Sequence, residues 1–232
     1  MTPQLFRFRA WCVHAYTGIS IPFSFYSLIE IQRGNIQFAW ILNLINVLID
    51  STDGTFARKF QVKKWLPDFD GGKLDDIADF LTYVVVPLYM VYHLHLIPEP
   101  FLWCLAFPLM ASGYGFCQGQ AKTDDGFFTG FPSYWNVLVF YLSLLAVPPF
   151  WNLILLVFFS ILVFIPIKYL YPSRARSGKF WLISLGILWG MALLYFIYQM
   201  EATPKLYIYL SLLYPAYYTL YSLILNFKPK KE

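Results

Sequence analysis

Charged residues are scarce in this chain: they make up only 13% of its 232 residues, against about 25% in a typical soluble domain. Hydrophobic residues make up 59% and aromatic residues 21%, and the mean hydropathy is +0.55. A water-exposed surface needs more polar residues than this composition provides. The composition excludes a disordered chain, a coiled coil and a solvent-exposed nucleic-acid-binding module, and it indicates an integral membrane protein.

Cysteine is also rare, and Cys12, Cys104 and Cys117 are widely separated. An odd number of cysteines without paired spacing indicates neither a disulfide framework nor a zinc site. The chain likewise lacks a fixed-period repeat and any stretch that resembles a soluble linker. We therefore expect a single transmembrane domain over residues 1–232.

Apolar stretches long enough to cross a bilayer account for most of the chain. About 20 helical residues span a hydrocarbon core of about 30 Å, which predicts an all-α bundle of eight transmembrane helices. With eight spans both termini lie on one side, and all of the 17 basic residues except Arg33 and Lys205 fall there. Because basic residues concentrate in cytoplasmic loops, both termini are predicted to be cytoplasmic. The predicted spans are 10–32, 36–58, 72–94, 100–121, 133–147, 149–167, 180–199 and 206–226.

Four aspartates lie at the cytoplasmic ends of the second and third predicted spans, where ionised carboxylates are costly. At about 100° per residue, Asp50 and Asp53 share one helical face, and Asp75 and Asp79 share another. Two antiparallel helices with a short connection bring such faces together, so the four carboxylates are predicted to converge. Close carboxylates need a counter-charge to stay ionised, and their hard oxygen atoms favour Mg²⁺ or Mn²⁺.

Small residues and an arginine accompany the acids. Gly54 and Gly71 are expected to leave backbone exposed beside the site, and Arg58 offers a bidentate fork to a phosphate oxygen. Together with a divalent metal, they indicate a diphosphate substrate and phosphoryl transfer. The alternative is that the aspartates cap helix ends, which suits Asp76 but not Asp50, because the helix dipole disfavours an acid late in a helix.

The spacing of these residues resembles the signature of the CDP-alcohol phosphotransferases, membrane enzymes that transfer a phosphoalcohol group from a CDP-linked donor to an acceptor hydroxyl. The resemblance implies that all four aspartates bind one or two metal ions and that Asp79 is also the general base. It implies that the small residues and the arginine contact the cytidine diphosphate group. All eight signature positions are present, as Asp50, Asp53, Gly54, Ala57, Arg58, Gly71, Asp75 and Asp79.

Within this family, two features resemble the bacterial phosphatidylcholine synthases: the twelve residues between Arg58 and Gly71, and the segment 122–136. Such enzymes condense CDP-diacylglycerol with choline, release CMP and usually require Mn²⁺. His14 and Thr17 occupy the place where the family often has Asn-x-x-Thr near the nucleotide, so the resemblance implies that they bind CDP-diacylglycerol, with the histidine as a departure. It also implies a homodimer in the bacterial inner membrane, among membrane lipids, with the active site facing the cytoplasm.

The acceptor site is expected in the segment 122–136. Proteins recognise a quaternary ammonium ion such as choline with aromatic faces, and Tyr134, Trp135 and Asn136 lie at the predicted cytoplasmic boundary. Asp124 and Asp125 add negative charge nearby. Because Tyr and Trp populate membrane interfaces in general, ordinary interfacial packing stays open as the alternative for these residues.

Other functions also stay open at this point. Within the family, the acceptor alcohol would instead be serine, glycerol phosphate or inositol phosphate. A membrane transporter would place its acids near the midplane and often shows internal repeats, which this sequence lacks. An intramembrane prenyltransferase uses an aspartate-rich diphosphate site with a different motif. No nucleic-acid partner is expected.

Overall fold

The computed structural model describes residues 2–119, 127–170 and 179–227. The chain forms two compact units, residues 1–89 and 90–232. Helices make up most of both units. The first unit is built from α1 (Pro3–Gly18), α2 (Ser20–Gln32), α3 (Ile36–Lys59), α4 (Val62–Trp65), α5 (Gly71–Asp79), a π-helical segment (Phe80–Val85) and the start of α6 (Val86–His93).

The first predicted span, 10–32, is broken into α1 and α2 at Ile19. Pro22 explains the break, because proline has no N–H to donate to the Gly18 carbonyl and its ring opposes that carbonyl. Both α1 and α2 pack against α3 and α5.

Small polar residues form the buried face of α2. Ser20, Ser24 and Ser27 are buried, whereas the ring of Phe25 is 61% exposed. The side-chain amide of Asn46 on α3 donates to the Ser20 carbonyl at 3.1 Å and to the Ser24 hydroxyl at 3.0 Å. In a soluble helix the polar residues face water and the apolar residues are buried, so the arrangement in α2 is the reverse. It is typical of helices that pack through small residues in lipid.

The connection after α3 is held against α1. Val62 and Leu66 pack on Ala10 and Val13 of α1 in one buried cluster. Asp70 then caps α5, because its carboxylate accepts the Lys73 N–H at 3.1 Å. This N–H also lowers the pKa of Asp70. The start of α5 is thereby placed beside α1.

The helix that follows widens directly after Asp79. Residues Phe80–Val85 form a π-helical turn, in which the Val86 N–H bonds to the Leu81 carbonyl five residues earlier. Pro87 accounts for the irregularity, since it cannot donate to the Tyr83 carbonyl and its ring presses on that group. Such π turns occur frequently at functional sites.

The second unit is also mainly helical. Its one pair of strands among the described residues is antiparallel, with Phe128 opposite Tyr169. The sequence did not indicate this pair, which the all-α prediction lacks. The elements after α6 are a 3₁₀ turn (Glu99–Leu105), α7 (Ala106–Cys117), β1 (Phe127–Thr129), α8 (Trp135–Leu144), α9 (Pro149–Phe164), β2 (Lys168–Leu170), α10 (Lys179–Gln199), a 3₁₀ turn (Met200–Ala202), α11 (Lys205–Ser211) and α12 (Leu213–Phe227).

The strand pair is fastened to α12. The Leu170 N–H donates to the Ser222 hydroxyl at 3.1 Å, and the Tyr218 hydroxyl donates to the Leu170 carbonyl at 2.8 Å. These two hydroxyls therefore pair the N–H and the carbonyl of Leu170, which β1 does not reach.

Three continuous helical stretches in the described part of the chain are long and apolar enough to cross a membrane: Glu99–Cys117, Phe180–Gln199 and Lys205–Asn226. Trp135–Leu144 and Pro149–Phe164 are shorter apolar helices. Many large side chains on these helices are exposed, which suits a lipid environment. The chain is therefore a helical membrane protein.

Candidate active site

Carboxylates from two helices of the first unit converge, as their spacing predicts. Asp50 of α3 and Asp75 and Asp79 of α5 each offer a carboxylate oxygen, and these three oxygens lie within 4.8 Å of one another. All three residues are half-buried. Because α3 and α5 each place their acids on one face, the two rows meet.

Asp53 completes the group from one turn farther along α3. It is buried, and its carboxyl contacts that of Asp75 and lies near Asp50. The Thr17 hydroxyl of α1 donates to its Oδ2 atom at 2.8 Å. Thr17, predicted as a nucleotide contact, therefore lies at the site and holds one of the acids.

The donor set fits a divalent cation. Negative charges this close repel one another unless a cation or proton compensates them. Several carboxylate oxygens directed at one small volume match the preference of Mg²⁺ and Mn²⁺ for hard oxygen ligands. Asp50, Asp75 and Asp79 are the residues placed to hold such an ion, with Asp53 beside them.

Gly71 has a packing role that the sequence did not reveal. A Cβ atom on Gly71 would lie 2.5 Å from Cε1 and 3.0 Å from Nδ1 of His14. The space expected to stay open for a ligand is therefore taken by the His14 imidazole, because α1 and α5 pack closely. The imidazole also contacts Phe69, with ring centroids 4.3 Å apart.

His14 itself has an unsatisfied polar atom. The residue is 8% exposed, and its Nε2 atom is buried without a hydrogen-bond partner. Buried polar atoms are normally paired, so this nitrogen is available to a ligand that enters the site. His14 thus lies against Gly71, one of the signature residues.

The other signature residues lie on the last turns of α3. Arg58 is exposed, and its guanidinium donates to the Thr55 hydroxyl at 3.1 Å. A Cβ on Gly54 would lie 3.4 Å from Nη1 of Arg58, so the glycine adjoins the guanidinium. Ala57 packs against the Ala10 and Val13 cluster instead, where a small side chain allows α1 and α3 to approach.

The sequence pattern did not indicate Tyr83 as a residue of the site. It lies in the π-helical segment, is 8% exposed, and donates its hydroxyl to Oδ2 of Asp50 at 2.6 Å. The available signal was its position four residues after Asp79, which continues the row of Asp75 and Asp79.

The predicted choline residues belong to the second unit, at the start of α8. Trp135 is fully buried, and its indole N–H donates to the Ser112 hydroxyl at 2.6 Å. Asn136 is buried too, and its Oδ1 atom accepts the Val137 N–H at 2.9 Å. Tyr134 is only half-buried. Asp124 and Asp125, like the whole stretch 120–126, lie outside the described residues.

Comparison with known proteins agrees with the signature. The CDP-alcohol phosphatidyltransferase family matches residues 12–213. A phosphatidylcholine synthase of Legionella pneumophila is 36% identical over 96% of this chain and 90% of its own length. One of Borreliella burgdorferi is 34% identical over 96% of this chain and 97% of its own length. One of Pseudomonas aeruginosa is 35% identical over 81% of this chain and 82% of its own length.

These matches cover both units of the chain, and the family as a whole depends on divalent metal ions, for which the aspartate cluster is suited. The resemblance predicted from the signature is therefore confirmed. The chain belongs to the CDP-alcohol phosphatidyltransferase family and is a phosphatidyltransferase enzyme.

Proposed function

We propose that this enzyme transfers the phosphatidyl group of CDP-diacylglycerol to the hydroxyl of choline, forming phosphatidylcholine and CMP. The observation that carries the choice of acceptor is the similarity to enzymes named phosphatidylcholine synthase over 96% of the chain. The cluster of Asp50, Asp75 and Asp79 supports the reaction type, since it suits a metal-assisted transfer from a diphosphate.

The carboxylates and Arg58 have different roles in the transfer. Asp50, Asp75 and Asp79 would hold the ion together with Asp53, and a bound divalent ion would neutralise charge on the diphosphate. Asp79 accepts the proton of the choline hydroxyl while the choline oxygen bonds to the phosphorus attached to diacylglycerol. The bond from that phosphorus to CMP breaks, and CMP leaves with the electron pair. Arg58 donates hydrogen bonds to the phosphate oxygens.

The nucleotide is proposed to bind beside α1 and the ends of α3 and α5. Gly54 and Arg58 adjoin each other on α3, where a diphosphate can approach the guanidinium. His14 supplies an unpaired Nε2 atom above Gly71. Thr17 contributes through the orientation of Asp53, and Ala57 through the close packing of α1 on α3.

The setting of the reaction is proposed as the bacterial inner membrane, with Mn²⁺ as the preferred ion and a homodimer as the assembly. The charge distribution supports eight spans, two cytoplasmic termini and a cytoplasmic active site, because only Arg33 and Lys205 of the 17 basic residues fall on the opposite side. A family match over 12–213, across the boundary at residue 89, supports one functional domain.

An acceptor panel tests this function. The purified full-length protein is supplied with CDP-diacylglycerol and Mn²⁺, and with choline, serine, glycerol phosphate or inositol phosphate in separate reactions. We expect CMP release and a phospholipid product with choline alone. Phosphatidylserine or a phosphorylated product in place of phosphatidylcholine would overturn the choice of acceptor and leave the family unaffected.

Tyr134 is proposed as the aromatic contact of choline, next to the buried Trp135 and Asn136. Tyr134 is the half-buried member of the three, so it is the most accessible of them to a cation, which aromatic rings attract. Replacing Tyr134 by alanine is expected to raise the KM for choline by about 5-fold or more, equivalent to about 1 kcal/mol, with the KM for CDP-diacylglycerol unchanged.

The matched control for this prediction is Tyr198→Ala, because Tyr198 is 75% exposed on α10. It should leave both KM values at the wild-type level. An unchanged KM for choline in the Tyr134→Ala protein would count against the aromatic contact and in favour of interfacial packing.

A further inference from the structure

The carboxylate of Asp50 is held by a residue outside the family signature. The Tyr83 hydroxyl donates to Oδ2 of Asp50 at 2.6 Å, a length typical of the strong hydrogen bonds that hydroxyl groups make to ionised oxygens. Tyr83 is 8% exposed, so water does not compete freely for this bond. Its ring is fixed by the surrounding packing, which makes the hydroxyl a rigid donor.

The fold provides this donor through an irregular turn. Tyr83 lies four residues after Asp79, and the π-helical segment Phe80–Val85 separates Asp79 from α6. The neighbouring Thr82 is buried as well, and its carbonyl accepts the side-chain amide of Asn43 at 2.7 Å. Thr82 and Tyr83 are thus both hydrogen-bonded to α3, which fixes the position of Tyr83 along the axis of α3 relative to Asp50.

Asp50 benefits from such a support. It is half-buried, as Asp75 and Asp79 are, so its side chain has room to turn toward water. A carboxylate has two oxygens. A donor that binds Oδ2 restricts the rotation of the group and so holds the carboxylate in one orientation. Thr17 holds Asp53 in the same manner from α1, at 2.8 Å.

We propose that Tyr83 is a positioning residue that orients Asp50 for the divalent cation of this site. Partners of this kind commonly change metal affinity 10–100-fold when they are removed. The inference rests on the metal site of the proposed function. It adds a residue whose role is metal affinity and not contact with either substrate.

The test is the isosteric change Tyr83→Phe in the full-length protein, in detergent or lipid nanodiscs. Binding of Mn²⁺ alone is measured from the electron paramagnetic resonance signal of the free ion, which needs no turnover. We expect the Kd for Mn²⁺ to rise by about 10-fold. Saturating Mn²⁺ should restore most of kcat, with the KM for choline unchanged. Tyr26→Phe is the matched control, because Tyr26 is 56% exposed on α2, and it should bind Mn²⁺ like the wild type.

Two results would overturn the inference in distinguishable ways. If the Tyr83→Phe protein bound Mn²⁺ with the wild-type Kd, Tyr83 would have only a structural role. The same conclusion would hold if its sole defect were unfolding at a lower temperature without metal. A wild-type protein that binds no Mn²⁺ at all would instead remove the metal site and, with it, this part of the proposed function.

Discussion

Replacing Asp79 by asparagine is expected to lower kcat for choline transfer by about 10²–10⁴-fold, the usual contribution of a general base. Asparagine keeps the shape of the side chain and cannot accept the proton of the choline hydroxyl. The kcat is measured as choline-dependent CMP release at saturating Mn²⁺ and CDP-diacylglycerol. Binding of Mn²⁺ is measured in parallel, because Asp79 also lies in the cluster with Asp50 and Asp75.

Asp76→Asn is the matched control for this change. Asp76 lies on the same helix, next to Asp75 in the sequence, and does not belong to the group of three converging carboxylates. The kcat of the Asp76→Asn protein should therefore stay close to that of the wild type. If the Asp79→Asn protein kept near-full turnover while binding Mn²⁺ normally, Asp79 would not be the base. If it lost Mn²⁺ binding and regained turnover at high Mn²⁺, its role would be that of a metal ligand alone.

Replacing Gly71 by alanine is expected to destabilise the protein by about 1–3 kcal/mol, the usual cost of overpacking a close contact. The added Cβ would lie 2.5 Å from Cε1 of His14, so the imidazole or α5 must move. We also expect a higher KM for CDP-diacylglycerol, because His14 is a proposed nucleotide contact and Gly71 lies one turn before Asp75 on α5. Thermal unfolding in detergent and initial rates measure the two effects.

The second variant identifies the cause. Combining Gly71→Ala with His14→Ala removes the opposing ring, so the double variant should recover most of the lost stability. Gly113→Ala on α7 is the control, since nothing lies within 4 Å of the added Cβ, and it should not lower the stability. If the double variant were no more stable than the Gly71→Ala protein, α1 and α5 would not approach each other closely at this position.

The convergence of the acids followed from local properties of the sequence. Helical periodicity places Asp50 with Asp53 and Asp75 with Asp79, whatever the rest of the fold does. The cost of ionised carboxylates near hydrocarbon then requires a compensating partner. The same reasoning, together with the signature, led to the family that the comparisons confirm.

The hydrogen bonds that hold these acids were not predictable in the same way. Tyr83 is 33 residues from Asp50, and Thr17 is 36 residues from Asp53. Whether such side chains meet depends on the rotation and height of one helix against another. A π turn changes both the rotation and the height of the residues that follow it, whereas helical periodicity assumes a regular helix.

Local pattern was a poor guide where packing decides exposure. Trp135 was predicted as a choline contact at the cytoplasmic boundary, whereas in the structure it is fully buried and donates its indole N–H to Ser112. Gly71 was predicted to face a ligand, yet the ring of His14 fills the space beside it. In both cases the neighbour comes from a distant part of the chain.

The amino-acid sequence alone determined the membrane environment, the helical class and the face on which each aspartate lies, because these depend on composition and on the geometry of a single helix. The tertiary structure alone decided which hydroxyl holds Asp50, what lies against Gly71, and where the β1–β2 pair forms. These are contacts between segments, and their free energies depend on distances that no single segment specifies.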